Sequence, residues 1–430
     1  MPAVAPPDLP EQANPHFMQS LVALSETTEI EVTEDVFAQN GTKLLAKGAR
    51  VDSRLYERVI NHKLRRPIES SLACRDAFDA RQLVSDAEVL LEESSLLRHL
   101  GDWSHGRVTP LGMLERVRFS PQAATLLAVA QHKRPERRQH QIKTCLVAMS
   151  LAQALQFNDP QLLASLAQAS LLHDVGECYV DPAIFSTERE LSSADWRALA
   201  THPIIGAALA REIAGLDAMT QAAILQHHER LDGSGYPRGL GGVSLSRAGA
   251  ILGIADTVAA LLTRPYSHQR IGIALKIMPH EFSPELVNLV SALIHECAEQ
   301  AAAEQAPSAE VTDDIHHVFE RIANILTLFH ELLDERGGLS PLARETVESL
   351  LERFIRVQRA FASTGMDGFD SLSEVLEPHE LGEARLEARC VLDEIHWRLT
   401  RLSRELSLRA LAMPETESQP LMRLALCLSG

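Results

Sequence analysis

The sequence predicts a mainly α-helical protein, and three observations lead to that expectation. Leucine and alanine are abundant while aromatic residues make up only 4% of the 430 residues, a composition that favours helix. From about residue 76 onward, most segments repeat apolar residues at the spacing of an amphipathic helix. Hydrophobic residues at 45% and charged residues at 23% are ordinary for a globular chain and exclude wholesale disorder.

Composition and periodicity divide the chain into five segments. We expect a flexible leader at 1–25, a small β-containing N-terminal module at 26–75, a helical connector at 76–120, a central helical domain at 121–305, and a C-terminal helical bundle or extension at 306–430. The leader is predicted from its proline content, and the central domain from a long series of amphipathic helices.

The β-containing module is predicted from alternation and turn residues. Ile30, Val32 and Val36 partly alternate with polar residues, and the dipeptide Asn40-Gly41 is a strong hairpin signal. A short helix through Val59 is expected after the strands. This module is the one part of the chain where we expect strands.

The C-terminal segment is predicted to contain three amphipathic helices. The first carries Ile315, Ile322 and Phe329 on one face, a second follows Pro341, and a third runs from about Leu381 to Leu411. Such helices form either a bundle or a dimerisation element, so a homodimer through them is expected.

Charge and cysteine usage restrict the function. The net charge of −17 repels nucleic acid polymers, although a local positive site for a small phosphate compound is still allowed. The six cysteines are scattered singly, no apolar run is long enough to span a membrane, and the first residues do not resemble a signal peptide. We therefore expect a cytoplasmic protein without a membrane span.

The central domain concentrates histidines and carboxylates at helix ends and on helix faces. Individually these residues are unremarkable in a chain with 18 histidines, but together they supply five imidazoles and three carboxylates beside a glycine-rich loop at 227–246. Nitrogen and oxygen ligands suit Fe, Mn or Zn, in a number sufficient for two or three divalent ions. The candidate metal ligands are Glu136, His140, His173, Asp174, His202, His227, His228 and Asp256.

Two motifs of this domain resemble a known family. The run His173-Asp174-Val175-Gly176 is similar to the signature of the HD superfamily of metal-dependent phosphohydrolases, and HHERLDGSGYP at 227–237 matches the second signature of its HD-GYP branch without a gap. The resemblance covers about residues 121–300. It implies an all-helical HD-type core, the ligand positions given above, and hydrolysis of the second messenger cyclic di-GMP to linear pGpG and/or GMP.

The resemblance also implies roles for individual residues. His173 and Asp174 are the expected catalytic pair, with Asp174 bridging two metals and a bridging hydroxide as nucleophile. Tyr236 either contacts the substrate or anchors the loop. Gly233 and Gly235 are expected to adopt unusual backbone angles. In the family this loop is also implicated in contacts with GGDEF-domain proteins, which are therefore expected partners.

The chain departs from the family pattern in its phosphate contacts. Glu177 stands where the first signature usually ends in the lysine that holds a substrate phosphate, and Ser267 stands where a basic residue is expected. Arg264 is retained, so Tyr236, Arg264 and Glu177 are the candidate substrate-binding residues. The basic segment 132–140 either faces the substrate cleft and compensates for the lost phosphate contacts, or is simply the solvated start of a helix.

Three functions are compatible with this pattern. The first is an active cyclic di-GMP phosphodiesterase, favoured by the complete ligand set. The second is a weak or inactive HD-GYP protein that acts as nucleotide sensor or scaffold, favoured by Glu177. The third is hydrolysis of a different cyclic dinucleotide. The position of the Glu177 side chain separates the first two.

Overall fold

The computed structural model describes residues 9–75, 77–102, 109–157, 159–185, 191–298, 311–334, 339–369, 371 and 376–430. They divide into two compact units, which are described separately. Unit 1 comprises Met1–Glu190, Ala198–Thr263 and Glu281–Glu299, and unit 2 comprises Leu191–Arg197, Arg264–His280 and Gln300–Gly430.

Helices dominate the part of the chain that the structure describes, as predicted. In chain order they are α1 (Pro15–Ser25), α2 (Ser53–Ile60), α3 (Ala80–Glu93), α4 (Ser95–Asp102), α5 (Pro110–Arg116), α6 (Pro121–Lys133), α7 (Glu136–Ala154), α8 (Pro160–Leu172), α9 (Ser193–Ala200), α10 (His202–Glu212), α11 (Ala218–Gln226), α12 (Arg247–Leu261), α13 (Ser267–Lys276), α14 (Pro284–Ala298), α15 (Thr312–Asp334), α16 (Pro341–Ala362), α17 (Pro378–Ala410) and α18 (Glu415–Ser429). The strands are β1 (Ile30–Val32), β2 (Val36–Phe37), β3 (Lys43–Leu45) and β4 (Leu72–Cys74).

The expected flexible leader is wrong for its second half, which forms α1. The Asn14 side chain caps this helix by accepting hydrogen bonds from the next turn, and Pro15 occupies the first helical position. Phe17, Met18 and Leu21 are fully buried along one face. Their burial outweighs the low helical tendency of the proline-rich start; residues 1–8 lie outside the described part.

The β-containing module has two short antiparallel pairs in unit 1. Strand β1 pairs with β4, and β2 pairs with β3 across the predicted Asn40-Gly41 turn. Gly41 has a positive φ of 90°, which a glycine tolerates at little cost, and the Asn40 side chain accepts a hydrogen bond from the Thr42 backbone. The hairpin prediction is therefore confirmed.

The module and connector belong to the same unit as the central helices. Helices α1 and α6 pack together, β4 packs on α6, and α3, α4 and α5 pack on α7. The Tyr179 hydroxyl, on the short 3-10 helix Val175–Tyr179, donates to the buried Glu69 carboxylate of the module. The segments predicted at 26–75 and 76–120 thus share unit 1 with most of the segment predicted at 121–305. The exceptions are Leu191–Arg197, Arg264–His280 and the residues after Glu299, which belong to unit 2.

Unit 2 is a helical bundle, and its core is apolar. Among its described residues after Val311, four α-helices, α15 to α18, follow one another, where the sequence predicts three. The additional helix α18 carries Pro420 in its interior, which hides it from periodicity arguments. Phe329, Phe354, Phe361 and Leu399 are buried in one cluster with residues of α13 packed against it. The apolar faces expected to drive dimerisation are therefore largely used inside the bundle.

No helix among the described residues is long and apolar enough to span a membrane.

Candidate metal centre

The centre lies in unit 1, where five packed helices bring distant residues together. Helix α7 packs on α8 and α12, and α11 packs on α8, α10 and α12. His140 lies in the second turn of α7, Asp256 lies within α12, and His202 begins α10. His173-Asp174 and His227-His228 directly follow α8 and α11, so both pairs are presented at helix C-termini.

The side chains form two ligand groups that share one carboxylate. The first group consists of Asp174, His202, His227 and His228, and the second of His140, His173 and Asp174, with ligand atoms within 4.8 Å of one another in each. Asp174 Oδ1 lies 3.4 Å from His202 Nε2, whereas its Oδ2 lies 3.2 Å from His173 Nε2. Each oxygen thus faces a different group, which is the arrangement expected of a bridging carboxylate.

Asp256 closes the second group. Its Oδ1 lies 2.9 Å from His140 Nε2 and 3.6 Å from His173 Nε2, and its Oδ2 lies 3.8 Å from His228 Nδ1. Burial opposes ionisation, but the neighbouring His140 and His173 rings hold the pKa of Asp256 well below its usual range. Asp256 therefore enters the centre as a carboxylate.

Three of the histidines are oriented by the same backbone contact. His173 Nδ1 lies 2.8 Å from the Ser170 carbonyl, His202 Nδ1 lies 2.7 Å from the Leu199 carbonyl, and His227 Nδ1 lies 2.6 Å from the Ile224 carbonyl. A carbonyl only accepts hydrogen bonds, so each Nδ1 carries a proton and each Nε2 is the ring nitrogen that faces the cluster. This contact commonly fixes the tautomer of metal-bound histidine.

The inward-facing nitrogens fit divalent cations. His202 Nε2 and His227 Nε2 are only 3.2 Å apart, and burial lowers the pKa of His202 to about 3, so the neutral ring presents a lone pair there. His173 Nε2 is buried and finds no hydrogen-bond partner among the described residues. A cation between these atoms satisfies them, and the nitrogen and oxygen donors suit Fe, Mn or Zn.

In contrast to His202, His173 has a pKa that its neighbouring carboxylates raise. Burial disfavours its charged form, yet Asp174 and Asp256 raise the pKa of His173 to about 10. A cation bound at Nε2 replaces the proton that these carboxylates otherwise attract, because metal and proton compete for the same lone pair.

Among the other predicted site residues, Glu136 lies outside both ligand groups. Its side chain is 64% exposed and pairs with Arg134. Arg264 is exposed and belongs to unit 2. Tyr236, by contrast, stacks on the ring of His228, with centroids 4.6 Å apart. The metal role of Glu136 and the substrate roles of Tyr236 and Arg264 stay predictions.

Glu177 faces neither the ligand groups nor open solvent. Its Oε1 accepts a 2.6 Å hydrogen bond from Arg137, and its Oε2 accepts a 3.1 Å bond from Arg134. The second terminal nitrogen of Arg137 donates to Asp174 Oδ2 at 2.7 Å. Burial and the Asp174 carboxylate raise the pKa of Glu177 to about 7, and the two guanidinium groups oppose this shift.

The basic segment at 132–140 therefore divides. Lys133, Arg134 and Arg137 line the small cavity beside Asp174 and Glu177, whereas Arg138 pairs with Asp86. The cleft-facing alternative applies to the first three residues. The sequence showed the cluster of positive charge, but only the side-chain directions revealed which members reach the centre.

A buried carboxylate that the sequence analysis assigned no role organises the glycine-rich loop. Glu229 accepts hydrogen bonds from the backbone nitrogens of Arg238 and Leu240, at 2.7 and 2.8 Å. Because Glu229 directly follows the two ligand histidines, this contact ties the loop to the metal centre. Its position next to His227-His228 is the one signal that could have indicated the role.

The two loop glycines serve different purposes. Gly233 has the expected unusual angle, a φ of 75°. The same expectation is wrong for Gly235, whose φ is not in the left-handed region. A Cβ at Gly235 would lie 2.3 Å from the Glu229 Cα, so this glycine is required by the close approach of two backbone segments.

With this geometry established, comparison with known proteins identifies the domain. Residues 124–286 match the family described as "HD domain". The match spans every histidine and aspartate of the two ligand groups. This segment is an HD domain. Its second motif at 227–237 resembles the signature of the HD-GYP branch, and relatives that are cyclic di-GMP phosphodiesterases support that branch.

Proteins similar to this chain include phosphodiesterases of cyclic dinucleotides. The chain is 32% identical over 130 residues to cyclic di-GMP phosphodiesterase PA4108 of Pseudomonas aeruginosa, covering 30% of this chain and 31% of the relative. It is 32% identical over 171 residues to 3'3'-cGAMP-specific phosphodiesterase 3 of Vibrio cholerae, covering 39% and 35% respectively. It is 35% identical over 103 residues to cyclic di-GMP phosphodiesterase response regulator RpfG of Xanthomonas campestris pv. campestris, covering 24% and 27%. The chain thus spans about a third of the length of these relatives.

Among solved structures, Bd1817, an HDG"Y"P protein from Bdellovibrio bacteriovorus, overlays with a TM-score of 0.33 at 15% identity, covering 62% of this chain and 95% of that one. The helical fold of the HD domain is established by the helices described above, independently of this overlay.

Proposed function

We propose that the protein is a metal-dependent phosphodiesterase of the HD-GYP type that hydrolyses cyclic di-GMP to linear pGpG and/or GMP. The observation that carries the proposal is the cluster in which five imidazoles and the Asp256 carboxylate gather around Asp174. The names of the relatives support the reaction class and divide over the substrate, because some are cyclic di-GMP phosphodiesterases and others act on 3'3'-cGAMP.

The cofactors we propose are two divalent ions, with Fe or Mn favoured and Zn compatible with the same donors. Bound ions would supply an activated water near neutral pH and would neutralise the phosphodiester charge. A third ion would require Glu136 as ligand, and its exposed carboxylate would first have to leave Arg134.

The chain's own residues prepare the centre for this chemistry. The Ser170, Leu199 and Ile224 carbonyls hold three rings in one orientation, with each Nε2 facing the cluster. Despite burial, Arg137 and His173 hold the pKa of Asp174 well below its usual range, so it offers two unprotonated oxygens at neutral pH. His173 and Asp174 are therefore the residues to which we assign the catalytic role.

Tyr236 is the substrate-binding residue that the geometry favours most. Its ring stacks on His228 at the edge of the centre, where a purine base or a ribose can lie against it. Arg264 is proposed as a phosphate contact only from the family pattern.

The alternative is an HD-GYP protein that binds metal or nucleotide but turns over poorly. It is favoured by Glu177 at the position of the phosphate-binding lysine. Purified protein loaded anaerobically with Fe(II) or Mn(II) separates the two: release of pGpG or GMP from cyclic di-GMP supports the phosphodiesterase. Tight binding of the dinucleotide without product supports the sensor, and turnover of 3'3'-cGAMP alone supports the changed specificity.

The expected partners are assigned to two exposed surfaces. The glycine-rich loop is the surface proposed for GGDEF-domain proteins, since Val243 at its end is fully exposed while Glu229 fixes its base. A homodimer through the C-terminal helices would use the exposed apolar side chains that the bundle leaves, such as Trp397 and Leu426. Location in the cytoplasm stays a prediction.

A further inference from the structure

The side chain of Glu177 belongs to a chain of ion pairs that ends on the shared carboxylate. Arg134 donates to Glu177, Glu177 accepts from Arg137, and Arg137 donates to Asp174. Both oxygens of Glu177 are occupied, and its side chain is only 10% exposed. Arg134 is itself held, because its guanidinium lies 4.2 Å from the centre of the Phe185 ring and its Nε pairs with Glu136.

The backbone explains why one guanidinium reaches two carboxylates. The Glu177 nitrogen donates to the Asp174 carbonyl at 2.9 Å, which places the two residues one 3-10 turn apart. Side chains three residues apart in such a turn eclipse each other, so both carboxylates project to the same side. They would repel each other there without Arg137 between them.

The turn that carries these carboxylates has little freedom to shift. A Cβ at Gly176 would lie 2.1 Å from the His202 carbonyl oxygen, so the backbone of the turn is in direct contact with the start of α10. With the backbone held, the orientation of the Asp174 carboxylate depends on its side-chain partners, of which Arg137 lies nearest, 2.7 Å from Oδ2.

We propose that Glu177 is a positioning residue that holds Arg137 against Asp174 Oδ2 and thereby sets which oxygen of the shared carboxylate faces each ligand group. One lone pair of Oδ2 accepts from Arg137, and the other stays directed at the group that contains His173. The positively charged group beside the centre is thus the Arg137 guanidinium of α7, and the Glu177 carboxylate anchors it. The inference rests on the metal-binding part of the proposed function and not on hydrolysis.

Mn(II) binding to the full-length protein, measured from the electron paramagnetic resonance signal of free Mn(II), tests this directly. Glu177→Gln is expected to raise the Kd about ten-fold or more, the range typical of lost partners of ligand carboxylates. Both effects of the change act in this direction: Arg137 loses its anchor, and its positive charge near the cations is no longer offset. Glu88→Gln on the exposed face of α3 is the matched control, with an expected Kd equal to that of wild type.

A double-mutant cycle with Arg137→Met distinguishes positioning from a direct effect on the metals. If Glu177 acts through Arg137, Glu177→Gln in the Arg137→Met protein changes the Kd by less than about two-fold. An equal loss in both backgrounds would overturn the proposal, as would a Glu177→Gln Kd within about two-fold of wild type. Arg138→Met, which removes the neighbouring guanidinium that pairs with Asp86, controls for a change of charge on α7.

Folding is measured separately by near-ultraviolet circular dichroism. A merely structural ion pair would lower the melting temperature without changing the Kd of the folded protein, and this result also contradicts the proposal. If Glu177→Gln does not fold, Arg137→Lys carries the test, because a single ammonium group cannot reproduce the two-pronged contact. An unchanged Kd in that variant overturns the inference.

Outcomes for the wild-type protein separate this inference from the proposed function. Mn(II) binding without hydrolysis leaves the positioning role intact and overturns only the phosphodiesterase. Absence of Mn(II) binding overturns the metal centre and the positioning role together. Glu177→Lys is expected to weaken Mn(II) binding, since it places an ammonium group against two guanidinium groups.

Discussion

The metal centre of unit 1 and the core of unit 2 are built from helices of similar kind but bury opposite chemistry. The centre buries imidazoles and carboxylates that hold one another by directed contacts, such as His140 with Asp256. The core of unit 2 buries rings such as Phe329 and Phe354, whose attraction is proportional to area and has little directionality. A substitution in the first should therefore change what the protein binds, and one in the second how stably it folds.

The sharpest test of this difference removes the shared carboxylate and its neighbour. The double substitution His173→Ala with Asp174→Ala is expected to abolish metal loading and any hydrolysis, because each ligand group loses Asp174. Metal content by mass spectrometry and cyclic di-GMP turnover are the measurements. His132→Ala, at an exposed histidine of α6, is the control that should bind metal normally. Unchanged activity in the double variant would falsify the assignment of the centre.

A cavity introduced into the core of unit 2 should lower the stability of the fold and leave metal binding unchanged. Phe354→Ala is expected to lower the free energy of unfolding by about 3–5 kcal/mol, because a fully buried ring is lost. Leu342→Ala on the same helix, at a side chain that is 61% exposed, should cost less than about 0.5 kcal/mol. Urea denaturation measures both. Loss of bound metal from the folded Phe354→Ala protein would break the proposed separation of roles.

The next largest effect is expected at the close backbone contact between Gly235 and Glu229 in the glycine-rich loop. Gly235→Ala is expected to destabilise the protein by about 1–3 kcal/mol through overpacking, and to lower turnover, because the loop must move away from Glu229. Gly272→Ala, in α13 with nothing within 4 Å of the added methyl group, should be neutral or slightly stabilising. Thermal melts and turnover at saturating metal measure the pair. Equal behaviour of the two variants would contradict the steric role of Gly235.

The smallest expected effect concerns pH. Burial raises the pKa of Glu69 above its ordinary value of 4.5, against the hydrogen bond from Tyr179. The folded state therefore holds the proton more tightly than the unfolded state, so this contribution is favourable below pH 4.5 and is lost as pH rises through the raised pKa. Because glutamine does not ionise, Glu69→Gln removes this loss of stability at higher pH.

The measurement for Glu69 is the difference in melting temperature between variant and wild type. It should grow in favour of Glu69→Gln as pH rises from the ordinary pKa of glutamate to above the raised one, and then level off. Glu88→Gln, at an exposed glutamate of unit 1, should give a difference that does not vary with pH. A flat profile for Glu69→Gln would show that its carboxyl titrates equally in both states.

Much of the fold and the ligand set follows from local sequence patterns. Helical periodicity predicted most helices, Asn40-Gly41 predicted the hairpin, and the placement of His173-Asp174 and His227-His228 at helix ends predicted the cluster. These signals are readable because backbone geometry and side-chain direction within one helix or turn depend on neighbouring residues only. The helix α1 and the fourth helix of the bundle escaped, because proline obscures periodicity in both.

What the sequence by itself determined is therefore the helical class and the residues able to bind metal. Tertiary structure decided which charges meet: Arg137 reaches Asp174 and Glu177 across 37 and 40 residues, while Arg138 turns to Asp86 and Glu136 turns outward. It also decided that the module at 26–75 belongs to the same unit as the metal centre. Such pairings depend on how helices pack, and packing is the sum of many weak contacts between residues far apart in the chain, which no local motif encodes.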